Sequence, residues 1–470
     1  MLPIDYRIRM KDLLEDEYDD FIRSLEAPEY KALRLNLLKA DRAQLLAFLS
    51  DLEKEAGDNL VIEREPVPWE ECGFYYSLNK DASDDESKVR GPGSSPLHEA
   101  GAFYIQEPSA MKPVSLMDIK PGERVLDMCA APGGKSTQIA ADLGGEGMLI
   151  SNEYVRQRAL ILSSNIERMA VKNAIVLNET PEKIGRTFPG FFDKVLVDAP
   201  CSGEGMFRKN EQAVSEWSLE NVKMCAARQD EILDHAACTL RYGGILVYST
   251  CTFSPEEDEE CVKRFLDLHP EYELISMEKL YPHKIRGEGH FVAKLSRGPV
   301  KDQTDAESDK ITNRDAGRRR KKDARDERLK EYLNFLKELI PDDLLRGDYE
   351  AAERLLFFGD NLYLVPGGAP KLDGLKVVRP GLQLGTFLKN RFEPAHAWAM
   401  TLKKEEVINS VDITYEEARA YLAGMTIPHE GLGGWCLVCY NGISLGWGKL
   451  TGNIIKNHYP KGLRKNWSLK

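Results

Sequence analysis

Short, uniformly apolar runs separated by stretches of helical periodicity dominate the middle of the chain. Arg124–Met128, Met148–Ser151, Ile175–Leu177, Lys194–Val197 and Ile245–Ser249 are too short for helices and apolar at nearly every position. That is the pattern of strands buried on both faces. Between them, Arg156–Met169 and Val222–Leu240 repeat their apolar residues at helical spacing. Strand–helix alternation over about 96–298 predicts an α/β domain with a mostly parallel sheet and helices on both faces. Ligands bind such a sheet beyond the carboxyl ends of its strands.

The flanks read differently. Leu45, Leu46, Leu49 and Leu52 recur at helical spacing and predict a core-facing helix within residues 1–95. Lys80–Pro96 is rich in Ser, Asp, Gly and Pro and reads as a loop. Val300–Arg328 has few apolar residues and contains Arg318-Arg-Arg-Lys-Lys322. It reads as a charged linker over 299–328, whose basic cluster either is solvated or touches RNA. Leu329, Tyr332, Leu333, Leu336, Leu339 and Ile340 mark an amphipathic helix that Pro341 ends. From Leu362 onward, glycines and short apolar runs such as Trp435–Tyr440 predict a small β-rich domain or two within 329–470.

Composition narrows the class. A chain of 470 residues suggests two to four domains, at ~100–200 residues each. No run of about 18 apolar residues is present, which excludes a membrane-spanning helix, and Met1–Asp20 lacks the apolar core of a secretion signal. Nine scattered cysteines fit reduced thiols in a cytoplasm better than a disulfide framework. The net charge of −12 argues against a nucleic-acid binder, but it hides a gradient. No Asp or Glu follows Glu430, and Lys449, Lys456, Lys461, Arg464, Lys465 and Lys470 are interspersed with His458, Tyr459 and Trp467. Such a segment is either a solvated tail or a surface for RNA phosphates and bases.

The chemistry gathers at predicted strand ends. Asp127-Met-Cys-Ala-Ala-Pro-Gly-Gly-Lys-Ser136 follows the first strand, and its glycines allow close backbone approach to a ligand. It lacks the dinucleotide fingerprint GxGxxG, and Cys129 stands where the first glycine of a P-loop belongs. Glu153 ends the second strand, where an acid either binds ribose hydroxyls or caps a helix. A nucleoside cofactor without a pyrophosphate, such as S-adenosyl-L-methionine, fits this combination. The fourth strand ends in Asp198-Ala-Pro-Cys-Ser-Gly-Glu-Gly205 and the fifth in Tyr248-Ser-Thr-Cys-Thr-Phe-Ser254. Neighbouring strands bring Cys201 and Cys251 toward one another and toward the loop. Metal binding by this pair is disfavoured, because no further ligand stands at a suitable spacing. Cys436 and Cys439 alternate with apolar residues and read as core.

Asp127–Thr137, Asp198–Gly205 and Ser249–Glu257 together resemble, in order and spacing, the motifs of the NOL/NOP/Sun family of RNA 5-methylcytosine methyltransferases. Tyr104–Met111 is similar to that family's segment upstream of the cofactor loop, and Leu2–Ala40 to its N-terminal segment. Gly381–Gly385, Pro394–Trp398 and Leu445–Leu450 resemble the C-terminal extension of the bacterial Fmu-like/RsmF branch, which acts on small-subunit ribosomal RNA. The resemblance implies a Rossmann-like methyltransferase domain, a small N-terminal α+β segment and a C-terminal β-rich PUA-like RNA-binding region. It assigns the nucleophile to Cys251, product release to Cys201, and contact with the cytosine N3/N4 edge to Asp198. It assigns S-adenosyl-L-methionine to Cys129, Ala130, Ala131, Pro132, Gly133, Gly134 and Lys135 and also to Asp198, with ribose binding by Glu153 and support from Arg158, which is equally suited to a salt bridge. Asn178 and Thr180 are the candidates for the adenine side. The same chemistry on transfer RNA, 23S ribosomal RNA or DNA, and a non-catalytic RNA-binding assembly factor, are the rival readings. DNA enzymes of this chemistry use the Pro-Cys thiol, so Thr250-Cys251 favours RNA.

Overall fold

The computed structural model describes residues 2–79, 91–299, 319–341, 348–389 and 391–465. Lys80–Arg90, Val300–Arg318, Trp467 and Lys470, which the sequence reading used, lie outside the described residues. The Cα positions group into two units, one of Met1–Gly298 with Pro366–Gly381 and one of Pro299–Val365 with Leu382–Lys470.

In the first unit, β1 (Lys31–Leu35), β2 (Leu60–Val67), β3 (Glu70–Leu78) and β4 (Phe103–Gln106) form an antiparallel sheet in the order β2-β3-β1-β4. The helix Arg42–Ala56 is capped by Asp41, whose carboxylate accepts from the Gln44 N–H at 2.9 Å. Leu45, Leu49 and Leu52 are buried, whereas Leu46, read as core, is 36% exposed. It falls off the stripe that its three neighbours define.

Next come β5 (Arg124–Asp127), β6 (Met148–Asn152), β7 (Ala174–Leu177), β8 (Phe192–Asp198) and β9 (Leu240–Thr250). They pair parallel in the order β9-β8-β5-β6-β7. Consecutive residues alternate between two apolar clusters. Leu126, Ile150, Ile175, Val195 and Leu246 belong to one face, and Val125, Leu149, Val176, Leu196 and Val247 to the other. Burial on both faces is why these strands read as unbroken apolar runs. The order reverses between β5 and β8, so a crevice opens beyond their carboxyl ends.

An antiparallel pair, β10 (Tyr272–Leu280) and β11 (His290–Arg297), extends one edge beside β9. At the other edge, β14 (Val377–Arg379) pairs antiparallel with β7. Arg379 is buried there and bonds Glu167 at 3.1 Å.

In the second unit, β12 (Leu355–Phe358), β13 (Asn361–Leu364), β15 (Leu382–Leu388) and β16 (Arg391–Pro394) form one sheet. β17 (Ser410–Ile413), β18 (Ile427–Pro428), β19 (Gly434–Tyr440), β20 (Ile443–Thr451) and β21 (Ile454–Asn457) form another. Trp398, Trp447, Leu437 and Cys439 share one core with Tyr332, Leu336 and Leu339 of the helix Arg319–Leu339. That helix begins ahead of its apolar stripe, so Arg319–Arg328, read as linker, is helical. Cys436 and Cys439 are buried in β19. Trp435, Lys449 and Lys456 stand side by side across β19, β20 and β21. The Lys449 ammonium lies 5.6 Å over the Trp435 ring, and His458 packs against that ring at 4.4 Å.

One buried cation joins the N-terminal sheet to the loop after β5. Arg34 on β1 is 1% exposed. It donates to Gln106 Oε1 at 3.0 Å, Thr137 Oγ1 at 2.8 Å and the Gly134 carbonyl at 3.2 Å. Replacing it leaves the buried Gln106 Oε1 without its donor and removes one bond each from Thr137 and Gly134, which keep their own bond at 3.0 Å. Arg34→Met is therefore expected to lower stability by about 2–4 kcal/mol, read from the urea midpoint at unchanged slope.

Candidate active site

A cleft of about 1330 Å³ opens at the strand-order reversal. Its wall runs from Met128, Cys129 and Ala131 through Asn152–Val155 and Thr180 to Asp198–Gly203 and Cys251. Each of these segments follows the carboxyl end of a parallel strand.

The parallel register pairs Asp198 of β8 with Ser249 of β9. The loops that leave these strands therefore start side by side, and the Sγ atoms of Cys201 and Cys251 approach to 3.3 Å. The hydrogen bond between the two thiols, reinforced by burial, pushes the Cys201 thiol well above its ordinary range. Cys201 thus keeps its proton in contact with the Cys251 sulfur.

Asp198 sits beside them. Burial pushes its carboxyl up, but Lys135 and His290 overcome that effect and hold it well below the usual carboxylate range. The Lys135 ammonium donates to Asp198 Oδ2 at 2.8 Å. Ser249 Oγ donates to Oδ1 at 2.8 Å. His290 Nδ1 donates to the Gly289 carbonyl at 3.0 Å, and its Nε2 stands 3.3 Å from Lys135 Nζ and 3.7 Å from Asp198 Oδ1. Asp127 behaves oppositely. Burial pushes it up to about 7, and its Oδ2 accepts from Ser136 Oγ at 2.6 Å.

Glu153 faces the cleft with one oxygen bound to the Val155 N–H at 2.8 Å and the other 3.4 Å from Arg158. Carboxylates dominate this end of the cleft, an acceptor set suited to a cationic ligand bearing hydroxyls.

Family models account for nearly the whole chain. Residues 114–296 match the 16S rRNA methyltransferase RsmB/F domain, and 2–108 match the N-terminal domain of 16S rRNA methyltransferase RsmF. Residues 334–402 match the first C-terminal domain of the RsmF rRNA methyltransferase, and 408–465 its PUA domain. The Ribosomal RNA small subunit methyltransferase F of Vibrio vulnificus is 34% identical, over 100% of this chain and 98% of its own. The chain belongs to the RsmF family of ribosomal RNA methyltransferases. The protein of that name from Aeromonas hydrophila is 32% identical over 96% of this chain and 94% of its own. A methyltransferase homologue from Pyrococcus horikoshii superposes with a TM-score of 0.52 at 28% identity, over 61% of this chain and 92% of its own.

Within this RsmF-family site the residues singled out from sequence separate into groups. Cys129, Ala131, Glu153, Arg158, Thr180, Asp198, Cys201 and Cys251 line the cleft. Lys135 joins Asp198 rather than standing apart with the loop. Ala130, Pro132, Gly133, Gly134 and Asn178 lie behind the lining. The Ala130 N–H is bound to the Asn152 carbonyl at 2.8 Å. Gly133, at φ +116°, turns the chain into the helix Gly134–Asp142. Asn178 Nδ2 binds the carbonyls of Glu153 and Tyr154 at 2.8 and 2.7 Å, shaping the turn after β6. Thr180 faces the cleft while its hydroxyl caps the helix Pro181–Thr187. Arg158 makes the salt bridge weighed for it, with Glu153, and also donates to the Ala131 carbonyl at 2.9 Å.

Sequence reasoning missed His290, the first residue of β11, and did not show where the N-terminal helix Ile4–Leu14 packs. That helix packs Tyr6 against Phe207 and Trp217, and pairs Arg9 with Glu256 just beyond the Cys251 loop. Neither carries a local motif.

Removing the Lys135 ammonium leaves Asp198 buried without its main cation, so its pKa rises. Carboxylate function, present above the depressed pKa and lost as pH falls through it, should fail at higher pH. Lys135→Met is expected to move the acid limb of the methyl-transfer pH profile upward. An unmoved limb would separate Lys135 from the charge of Asp198.

Proposed function

We propose that this chain forms 5-methylcytosine in 16S ribosomal RNA, with S-adenosyl-L-methionine as methyl donor, in the bacterial cytoplasm. The observation that carries this reading is the 3.3 Å approach of two thiols beside an ionised aspartate at adjacent strand ends.

Cytosine C5 is a weak nucleophile. Addition of the Cys251 sulfur to C6 gives C5 enamine character, dividing one hard step into easier ones. The target base has to be unpaired or swung out of its stack for the sulfur to reach C6. The Asp198 carboxylate suits the N3/N4 edge, accepting from the amino group and stabilising a proton at N3 as negative charge builds in the ring. The bound cofactor supplies an electrophilic methyl sulfonium. Loss of the C5 proton to a base returns its electron pair to the C5–C6 bond and expels the Cys251 sulfur as thiolate. The Cys201 S–H is a suitable donor to that departing sulfur, which supports a role in release.

Several groups support cofactor binding. Glu153 suits the ribose hydroxyls, the Cys129 and Ala131 wall suits the methionine end, and Thr180 suits the adenine side. Arg158 and Asn178 act one layer behind, holding the Glu153 turn and the Ala131 carbonyl. The RNA partner suits the PUA-matching region, where the Trp435–Lys449–Lys456 row offers a stacking face with two cations.

Cys251→Ala is expected to abolish methyl transfer to unmodified 16S ribosomal RNA. Cys201→Ala should instead accumulate a protein–RNA species that survives denaturing electrophoresis when the cofactor is present. Exchanged phenotypes would overturn the assignment. Replacing Lys449 and Lys456 together by alanine should weaken RNA binding and flatten the slope of log affinity against log salt by about 1–2.

A further inference from the structure

The two cysteine loops hold one another through buried carboxylates that reach in opposite directions. Glu204, on the loop after β8, reaches to the loop after β9. Its Oε2 accepts from the Phe253 N–H at 2.9 Å, and its Oε1 from Ser254 Oγ at 2.7 Å and Trp217 Nε1 at 2.8 Å. Glu257, on the loop after β9, reaches back. Its Oε2 accepts from the Ser202 N–H at 3.0 Å and from Gln229 Nε2 at 2.8 Å, while the same Gln229 amide binds the Pro200 carbonyl at 3.0 Å. Both glutamates are 0% exposed.

Shorter links run between these two. Ser202 Oγ meets Thr252 Oγ1 at 2.7 Å, and the Gly205 N–H binds the Cys251 carbonyl at 2.8 Å. A Cβ at Gly205 would stand 3.0 Å from that carbonyl oxygen, so only glycine allows this approach without displacement. Tyr248 Oη donates to the Glu257 carbonyl at 2.6 Å, tying the reach-back residue to the strand that delivers Cys251.

Glu204 therefore fixes residues 253–254, just after Cys251, and Glu257 fixes residues 200–202, which bracket Cys201. We propose that Glu204 and Glu257 are reciprocal positioning residues that set the separation of the Cys201 and Cys251 sulfurs. The proposal rests on the covalent reading of the two thiols given above, and it adds what holds them in place. The two carboxylates work differently. Every acceptor role of Glu257 falls on one oxygen, whereas its Oε1 is buried without a partner. Burial pushes this carboxyl up to about 7, so a neutral side chain serves there. A glutamine amide reproduces that arrangement. Both oxygens of Glu204 accept, so an amide sets an N–H against either the Trp217 or the Phe253 donor.

The test uses the full-length protein and near-isosteric variants. Thermal melting checks that each is folded. Methyl transfer to unmodified 16S ribosomal RNA gives kcat and the KM for S-adenosylmethionine. The rate of Cys201–Cys251 disulfide formation with diamide, which takes up the two thiol hydrogens, reports sulfur separation without any RNA. Glu257→Gln is expected to keep kcat and disulfide rate within about threefold of wild type. Glu204→Gln should lower both by about tenfold or more, because ångström displacements of reacting atoms carry penalties of that order. Its KM for the cofactor should change less than about twofold, since no cofactor-facing wall depends on Glu204. Should Glu204→Gln not fold, Gln229→Leu, which unties Pro200 and Glu257, should slow both rates in the same sense. Equal behaviour of the two glutamine variants, or a Glu204→Gln enzyme with wild-type rates, would overturn the proposal. Disulfide rates that separate as expected while no protein, wild type included, transfers methyl would uphold the clamp and reject the methyl-transfer reading.

Discussion

Parallel pairing of β8 with β9 is the constraint on which the site depends. Because Asp198 and Ser249 are register partners, the chain leaves both strands at one level of the sheet, and residues three and two positions farther on meet across the gap. Each thiol would sit alone at the end of an ordinary loop if the register slipped. The pairing also explains the aspartate. It ends β8 at the reversal of strand order, where a ligand crevice opens and where Lys135, from the neighbouring loop, reaches it.

Around that register the molecule separates charge states by burial and partner. Asp127 and Asp198 end adjacent strands, the first fully buried and the second partly open to the cleft, yet one is pushed up to about 7 and the other held low. The difference is a cation: Ser136 gives Asp127 only a hydroxyl, whereas Asp198 has an ammonium at 2.8 Å. A similar contrast applies to the sulfurs, since Cys201 keeps its proton because another sulfur and the interior surround it. Such differences assign roles to residue types that look equivalent in a sequence.

The legible parts were those whose cause is local. Strands buried on both faces announce themselves as apolar runs, and residues at their carboxyl ends face the crevice whatever their neighbours are. This brought Cys201, Cys251, Asp198, Glu153 and the Cys129 loop together from sequence. What stayed hidden depends on distant partners. His290 matters because β11 pairs with β9, and Glu204 and Glu257 matter because two loops cross. Arg34 is polar at a position buried by a helix that begins a hundred residues later. The backbone partners of Ala130 and Asn178 stayed hidden as well, since no motif displays them. The helix Arg319–Leu339 extends into a polar stretch that carries no apolar periodicity to reveal it.

Identifying the sulfur that bonds to the base is the most direct test of the account. RNA carrying 5-fluorocytidine at the target offers no C5 proton to remove, so the adduct persists once methyl transfer has occurred. Digestion and mass spectrometry of that adduct should locate the cross-link on the peptide containing Cys251. A cross-link on Cys201, or an active enzyme that leaves no adduct, would contradict the account.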